Sequence, residues 1–272
     1  MSKRTLIAGP WVGEFGWELF AWQGYVRALS RNFDKTIVIS RNNSRALYAD
    51  FCSEFIAFEP PNNLADSYFM YDFDINEALI KIIRGNKIPL DKFTTIFPPR
   101  RIGFPPQTHY SEQISFGTHT IKPEYIQFGK KTEGKYDYVF HARDRELRKE
   151  DNWSIKNWNT LAELLGSASI ACVGTRHEAA LIDGADDLRG IELSEVFDVL
   201  RNAKCVFGPS SGPMHLSSLC GAPHVVWSRK ENQERYTENW NPLKTQVLFD
   251  SKYSWHPSPE YVYKKFLEWR KK

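Results

Sequence analysis

The sequence predicts an α/β protein with parallel sheets, divided into two domains. In both halves, short apolar runs of strand length alternate with stretches whose apolar residues recur at the helical period. Gly and Pro residues follow several of these runs, as expected where strands end in loops. A polar segment bounded by glycines, residues 129–134, separates the halves and is the predicted linker. The predicted parts are 1–130, 131–258 and a carboxyl-terminal helix over 259–272.

The composition is that of a globular chain that buries a core, with 42% apolar and 25% charged residues among 272. No apolar run approaches the ~20 residues of a membrane span, and the first residues lack the pattern of a signal peptide. The four cysteines form no C-x-x-C pair and three lie in apolar runs, so we expect reduced thiols and a cytoplasmic location. A net charge of +3 does not by itself indicate a nucleic-acid partner, and it is compatible with an anionic ligand.

The first half has strand–helix–strand spacing, which is typical of parallel βαβ units. Its turn-rich residues 90–120 are predicted to be loops that grip an acceptor. A capping box of Asp74 and Glu77 is predicted to open the third helix. The predicted strands are 5–8, 36–40 and 55–58, and the predicted helices are 17–31, 44–55 and 74–84.

The second half repeats this rhythm, and Ser194 is a candidate cap for one of its helices. A further short helix is predicted to begin at Ser211 or Gly212 and to end at Gly221. The predicted strands are 136–141, 169–173, 204–208 and 224–227, and the other predicted helices are 158–165, 178–182 and 193–202.

The loop that opens this short helix is a candidate phosphate site. Free backbone N–H groups at a helix N-terminus bind anions, and here they face a Ser/Gly loop. An ordinary strand–loop–helix connection would use the same residues for turning, so this stretch alone leaves both interpretations open. The candidate ligands are Ser210, Ser211, Gly212, Met214 and His215.

Two carboxylates follow the first strand, among glycines and tryptophans. If Glu14 or Glu18 is desolvated beside Trp11 and Trp17, a raised pKa would suit it as a general base. The alternative is that both carboxylates stabilise the N-terminal end of a helix dipole. A dinucleotide site is not indicated, because the glycine spacing departs from G-x-G-x-x-G.

Cationic residues crowd a third loop, after the strand that ends near His141. The guanidinium of Arg143 can pair with phosphate oxygens in a bidentate way, and Lys149 offers a point charge. Alternatively this is a solvated loop in which acidic neighbours pair with the cations. Because ligands of doubly wound folds lie beyond the carboxyl ends of strands, we expect all three loops to face one cleft.

The order of motifs resembles the heptosyltransferase-like (GT9-type) glycosyltransferases. Asp187-Leu188-Arg189-Gly190 and the run from Ala203 to Leu216 are similar to the carboxyl-terminal domain of that family, with Ser210 where the family has an acid. Val12-Gly13-Glu14 resembles the family's Ile-Gly-Asp. The segment 152–158 resembles a Lys-Arg-Trp-Pro motif, and 171–178 resembles a Gly-rich turn. His141-Ala142-Arg143 is also similar to a basic motif of fucosyltransferase-like enzymes.

This resemblance implies the GT-B fold, in which two Rossmann-like domains face each other across a cleft. It implies inverting, metal-independent transfer of a sugar from a nucleoside diphosphate sugar to an acceptor hydroxyl, with no further cofactor. Glu14 would be the base, with Glu18 as its alternative, and Gly174 and Thr175 would meet the nucleoside. Arg143 and Lys149 would join the loop from Ser210 to His215 in binding phosphate. The expected acceptor contacts are Trp11, Trp17, Arg100 and Arg101.

The favoured acceptor is a cell-surface saccharide. Three alternatives remain open, namely a transferase acting on a modified DNA base, a nucleotide-sugar epimerase, and a non-catalytic nucleotide-binding protein. The sequence Asp72-Phe73-Asp74 imitates a D-x-D metal motif, but Glu77 makes it a helix cap, so no metal site is predicted.

Overall fold

The computed structural model describes residues 4–59, 74–89, 92–98 and 111–271. The chain divides into two compact units, Met1–Tyr125 and Ile126–Lys272. Each unit contains its own parallel sheet, as the strand–helix spacing predicted. The predicted linker segment 129–134 belongs to the second unit.

The N-terminal unit has a parallel sheet of four described strands in the order β3-β2-β1-β4. An antiparallel hairpin of β5 and β6 follows it. Isoleucines of the first three strands pack against α3 and form the core beneath the sheet. The strands are β1 (Thr5–Ala8), β2 (Lys35–Ser40), β3 (Glu54–Ala57), β4 (Phe93–Ile96), β5 (Ile114–Phe116) and β6 (His119–Ile121). The helices are α1 (Phe15–Ala21), α2 (Gln23–Ser30), a 3₁₀ helix (Asn42–Tyr48) and α3 (Ile75–Gly85).

Two predicted helices of this unit take another form. The helix predicted over 17–31 is interrupted at Trp22 (φ −138°, ψ −68°), because its ring is buried and stacked on Trp11. The helix predicted over 44–55 is the short 3₁₀ helix instead. Asp74 caps α3 as predicted, since its carboxylate accepts the amides of Asn76 (2.8 Å) and Glu77 (3.1 Å).

The second unit has a parallel sheet of six described strands in the order β12-β11-β10-β7-β8-β9. The central strand β10 leads directly into α6, so its loop emerges from the middle of the sheet edge. The strands are β7 (Tyr138–Phe140), β8 (Ile170–Cys172), β9 (Asp186–Asp187), β10 (Cys205–Pro209), β11 (His224–Trp227) and β12 (Val247–Asp250). The helices are α4 (Ile155–Leu164), α5 (Leu193–Asn202), α6 (Gly212–Cys220) and α7 (Pro259–Trp269).

The predictions for this unit need two corrections. Residues 178–182 are not a helix, because Ala179 pairs with Arg143 in an isolated β-bridge. Ser194 does not cap α5, because it lies inside the first turn, and Glu192, two residues earlier, is the N-cap residue and forms a reciprocal capping box with Glu195. Ser211 is the N-cap of α6 and Gly221 ends it in the left-handed conformation (φ +68°), both as predicted.

Aromatic side chains fill the core of the second unit. Trp227 of β11 packs against Trp153 and Trp158 at centroid distances of 4.8 and 5.4 Å. Phe266 of α7 packs against Phe207 of β10 at 4.9 Å, so the carboxyl-terminal helix is part of this core. These aromatic side chains therefore form much of the core that supports the edge of the sheet.

Three of the four cysteines lie in the same unit. Cys172, Cys205 and Cys220 are buried free thiols, and burial raises the pKa of each. Within the described ranges, no helix has both the length and the apolar character to cross a membrane.

Candidate functional site

The loop after β1 carries Glu14 at the start of α1. Its backbone is extended (φ −64°, ψ 151°), and its carbonyl accepts the Glu18 amide at 3.0 Å. Its side chain makes no capping bond and is partly buried. Glu14 therefore lies at the carboxyl edge of the sheet and is partly exposed.

Glu18, one turn further on, has a different environment. It is fully buried, and three hydroxyl groups donate to its carboxylate: Ser40 (2.5 Å), Ser44 (2.7 Å) and Tyr48 (2.7 Å). Desolvation raises its pKa, while these hydrogen bonds and the nearby charge of Arg41 act in the opposite direction. With no exposed surface, Glu18 cannot contact an acceptor hydroxyl in this conformation.

Both tryptophans that were expected to bind an acceptor are buried. Trp11 is 0% exposed, and its ring stacks on Trp22 at 5.8 Å. Trp17 is 4% exposed. Both rings are therefore buried within the N-terminal unit. The other two expected acceptor contacts, Arg100 and Arg101, lie outside the described residues.

Arg41, the first residue after β2, reaches into the Glu14 loop. Its guanidinium donates from Nη1 to the Gly13 carbonyl (2.5 Å) and from Nη2 to the Val12 carbonyl (3.3 Å). The Trp11 indole N–H donates to the same Gly13 carbonyl at 3.0 Å. Three donors therefore hold the two peptides that precede Glu14.

The loop after β7 is organised by its own buried cation. Arg143 is 4% exposed, and its guanidinium donates to the Asn152 side chain (3.1 Å) and to the Arg148 carbonyl (3.4 Å). Desolvation lowers the pKa of this guanidinium. Lys149 is exposed on a 3₁₀ turn of the same loop. Arg143 thus braces the loop, and Lys149 is the candidate in it that faces solvent.

Gly174 and Thr175 form the turn after β8. Gly174 has φ +131°, and a Cβ there would lie 2.7 Å from the Ala179 Cβ and 3.0 Å from the His141 imidazole. Thr175 is exposed, and its carbonyl accepts the Ala179 amide at 3.1 Å. The turn therefore packs against the buried His141, whose Nδ1 lies 3.2 Å from the Val173 carbonyl oxygen.

The loop after β10 and the first turn of α6 form the segment that we call the α6 cradle (residues 210–215). Its first-turn amides, including those of Gly212 and Met214, have no acceptor within the helix. Ser210, Ser211 and Gly212 are partly exposed, whereas Met214 and His215 are buried. The α6 cradle therefore combines partly exposed backbone at residues 210–212 with a buried Ser211 Oγ and the buried side chains of Met214 and His215.

Tyr236, on a π-helical turn (Arg235–Asn239), braces the α6 cradle from below. Its hydroxyl accepts the Ser211 amide and donates to the Ser210 Oγ, both at 3.1 Å. Its ring stacks face to face on His215, with a centroid distance of 4.1 Å and an interplanar angle of 12°. Both residues are buried, so one phenol fixes the loop and the first helical turn together.

Arg235, on the same turn, is the cation beside the α6 cradle. The pKa of His215 is far below its ordinary value because of burial first and the positive charge of Arg235 second. The guanidinium carbon of Arg235 lies 5.1 Å from the Trp240 ring centroid. Within the described residues, no group of three or more Asp, Glu, His or Cys side chains is arranged to hold a metal ion.

No family model and no curated protein matches this chain. Solved structures do match it over nearly its whole length. The ADP-heptose LPS heptosyltransferase II of E. coli aligns with a TM-score of 0.60 at 14% identity, covering 97% of this chain and 98% of that chain. Heptosyltransferase WaaC of E. coli, solved with ADP, aligns at 0.62 and 14%, covering 97% and 99%. A family 9 glycosyl transferase from Veillonella parvula aligns at 0.62 and 12%, covering 98% and 96%.

The chain has the GT-B fold. This agrees with the fold class that the sequence resemblance implied. At these identities the likeness concerns the path of the backbone, so the role of each side chain has to be argued from its own contacts.

Three residues near these loops had no role predicted from the sequence. Arg41 directly follows a predicted strand, which places it at the carboxyl edge of the sheet. Arg235 and Tyr236 lie in a charged, aromatic stretch without helical period, where nothing in the sequence marks a π-helical turn. Such turns are frequent at functional sites, but they are recognised from backbone hydrogen bonds rather than from residue types.

Proposed function

We propose that the protein is a glycosyltransferase that moves a sugar from a nucleoside diphosphate sugar to an acceptor hydroxyl. The observation that carries the proposal is the α6 cradle at the carboxyl end of the central strand β10. In the GT-B fold this edge of the sheet is where a nucleotide is expected to lie.

Donor binding is assigned to the second unit. The departing nucleoside diphosphate gains negative charge, which the amides of Gly212 and Met214 and the hydroxyl of Ser210 can stabilise. Arg235 lies on the same turn as Tyr236 and adds positive charge near His215. Arg235 is therefore a proposed phosphate ligand that the sequence did not indicate.

The loops after β7 and β8 complete the proposed donor site. Lys149 is exposed and offers an ammonium group for phosphate. Arg143 contributes mainly by holding its loop through Asn152. We assign Thr175 and the backbone of Gly174 to nucleoside binding. Thr175 is exposed, and there is no space for a larger side chain at Gly174.

Acceptor activation is assigned to Glu14 of the first unit. Its carboxylate takes the proton of the acceptor hydroxyl while that oxygen forms a bond to the anomeric carbon. The bond from this carbon to the phosphate oxygen breaks, and the nucleoside diphosphate leaves with the electron pair. Attack from the opposite face inverts the configuration. Glu18 is excluded as the base in this proposal, because it is buried among three hydroxyl donors.

The proposal assigns charge neutralisation to amides and arginine rather than to a metal. It retains a saccharide as the favoured acceptor and a cytoplasmic location, which the three buried free thiols support. Transfer to a modified DNA base, epimerisation of the donor, and nucleotide binding without turnover become outcomes of the test.

The test begins with a thermal-shift panel of nucleoside diphosphates and their sugars. A ligand present at 100 times its Kd stabilises the folded protein by about 2.7 kcal/mol, so the correct base gives a clear shift. The sugar of that base is then incubated with saccharide acceptors and, separately, with DNA that contains modified bases.

Nucleoside diphosphate release that requires an acceptor supports the proposal. Conversion of the donor sugar without acceptor would identify an epimerase, and binding without turnover on any acceptor would identify a non-catalytic protein. Transfer to DNA would keep the glycosyltransferase assignment but would replace the acceptor. No stabilisation by any nucleotide would contradict the proposed donor site.

A further inference from the structure

The peptides on either side of Gly13 set the backbone position from which the Glu14 side chain starts. Glu14 directly follows them and is the N-cap residue of α1. The carbonyls of Val12 and Gly13 both point toward Arg41 and accept its guanidinium protons. A change at Arg41 would therefore act on Glu14 through the backbone.

Arg41 is itself held at both ends. The preceding residue, Ser40, ends β2 and donates its hydroxyl to Glu18. On the other side, the Arg41 carbonyl accepts the Ser44 amide at 2.9 Å, and the Ser44 hydroxyl donates to Glu18 at 2.7 Å. Because Glu18 fixes residues 40 and 44, the guanidinium starts from a rigid backbone position.

We propose that Arg41 is the positioning residue for Glu14, connecting the buried Glu18 cluster to the loop that carries the base. This inference rests on the proposed function, since it gives Arg41 a catalytic consequence only if Glu14 takes the acceptor proton.

The chemistry of the arginine side chain matters for this role. A planar guanidinium donates to two successive carbonyls at once, whereas a lysine ammonium is a point charge with no such fork. The Trp11 indole reaches only the Gly13 carbonyl. Loss of Arg41 would leave the Val12 carbonyl without this donor and would free the Val12–Gly13 peptide to rotate.

The experiment compares Arg41→Ala and Arg41→Lys with Arg45→Ala. Arg45 is a matched control, because it lies four residues on, in the 3₁₀ helix that Arg41 precedes. It is exposed, and its guanidinium carbon lies 4.7 Å from the Phe55 ring centroid. Each variant is measured for kcat, for Kd of the nucleoside diphosphate, and for amide hydrogen exchange at Trp11 and Glu18. These two amides report on the loop, since they are bonded to the carbonyls of Ile39 and Glu14.

We expect kcat of Arg41→Ala to fall roughly 100-fold, as a small misplacement of a reacting group can do, with nucleotide Kd changed by less than about twofold. Exchange at Trp11 and Glu18 rises in this variant while thermal unfolding of the second unit is unchanged. Arg41→Lys behaves like Arg41→Ala, and added millimolar guanidinium restores part of the activity of Arg41→Ala only. Arg45→Ala matches the unmodified protein in every measurement.

Wild-type kcat in Arg41→Ala, or wild-type exchange at both amides, overturns the inference and leaves the proposed function intact. If Arg41→Ala unfolds, Arg41→Lys decides, and full activity in Arg41→Lys overturns the inference as well. Failure of the proposed function has another signature, namely no acceptor-dependent transfer by the unmodified protein or full transfer by Glu14→Gln.

Discussion

The Tyr236 hydroxyl oxygen accepts a hydrogen bond of 3.1 Å from the backbone N–H of Ser211, the N-cap residue of α6. The same hydroxyl donates to Ser210, and the same ring covers His215. A single side chain from a π-helical turn thus sets the shape of the α6 cradle. The dependence of the α6 cradle on this hydroxyl can be tested directly.

We expect Tyr236→Phe to weaken nucleoside diphosphate binding about 3- to 10-fold, because one net hydrogen bond contributes about 0.5–1.5 kcal/mol. The ring stays in place, so the unit still folds. Titration calorimetry measures the affinity. Tyr136→Phe is the matched control, since that hydroxyl bonds Asp186 at 2.7 Å on the outermost strand. Equal losses in both variants would contradict a specific role for Tyr236.

Glu14→Gln removes the proposed base and keeps the size of the side chain. We expect kcat to fall by about 10²–10⁴, the usual contribution of a general base, while nucleoside diphosphate affinity is nearly unchanged. Single-turnover kinetics with labelled donor measures the rate of transfer, and calorimetry measures the nucleoside diphosphate affinity. Normal turnover would remove Glu14 from the mechanism.

Arg143→Ala tests whether the loop after β7 contributes to donor binding. We expect the free energy of unfolding to fall by about 1.5–3 kcal/mol, because the variant loses hydrogen bonds that a charged group makes. We also expect nucleoside diphosphate binding to weaken. Urea unfolding and calorimetry measure the two effects. Asn152→Ala removes the partner of the guanidinium and serves for comparison. An unchanged affinity in Arg143→Ala would make this residue purely structural.

The buried Glu18 gives the first unit a distinctive pH dependence. Its pKa in the folded state is above the ordinary value of 4.5, so the folded state binds more protons than the unfolded state in that window. Its contribution to stability is therefore largest at acidic pH and decreases as pH rises through the raised pKa. We expect Glu18→Gln to be most destabilising at low pH, in urea unfolding across a pH series. A loss of stability in Glu18→Gln that grows toward neutral pH would contradict a raised pKa of Glu18.

Buried histidines give the second unit the opposite dependence. Burial lowers the pKa of His141 and of His224 from 6.5 to about 4, so the unfolded state binds more protons between these values. Stability is lost as pH falls from 6.5 toward 4, by about 3 kcal/mol for each histidine. We expect His224→Asn to flatten this loss in acid unfolding followed by fluorescence. An unchanged acid transition would mean that His224 titrates normally.

Local rules predicted much of this fold and less of the candidate site. The βαβ spacing, the Asp74 cap and the Gly221 stop depend on neighbours within a few residues, and each is present. The predicted helix over 178–182 was wrong, because a tertiary β-bridge at Ala179 overrides weak helical period.

The residues missed at the site depend on distant contacts. A glutamate in a helix is expected at the surface, and only the folded chain brings Ser40, Ser44 and Tyr48 around Glu18. The role of Tyr236 likewise requires a π-helical turn that has no residue signature. The sequence therefore indicated three candidate loops, but not which distant residues support them.

The stacking of Tyr236 on His215 has a consequence for how donor affinity depends on pH. Burial and the neighbouring charge of Arg235 hold the pKa of His215 well below its ordinary value, so the imidazole adds no charge to the α6 cradle near neutral pH. Variation of donor affinity with acidity would then report the ionisation of the ligand's own terminal phosphate, near pH 6. A free nucleoside diphosphate would lose affinity in mild acid, whereas its sugar ester, which lacks that ionisation, would bind equally well.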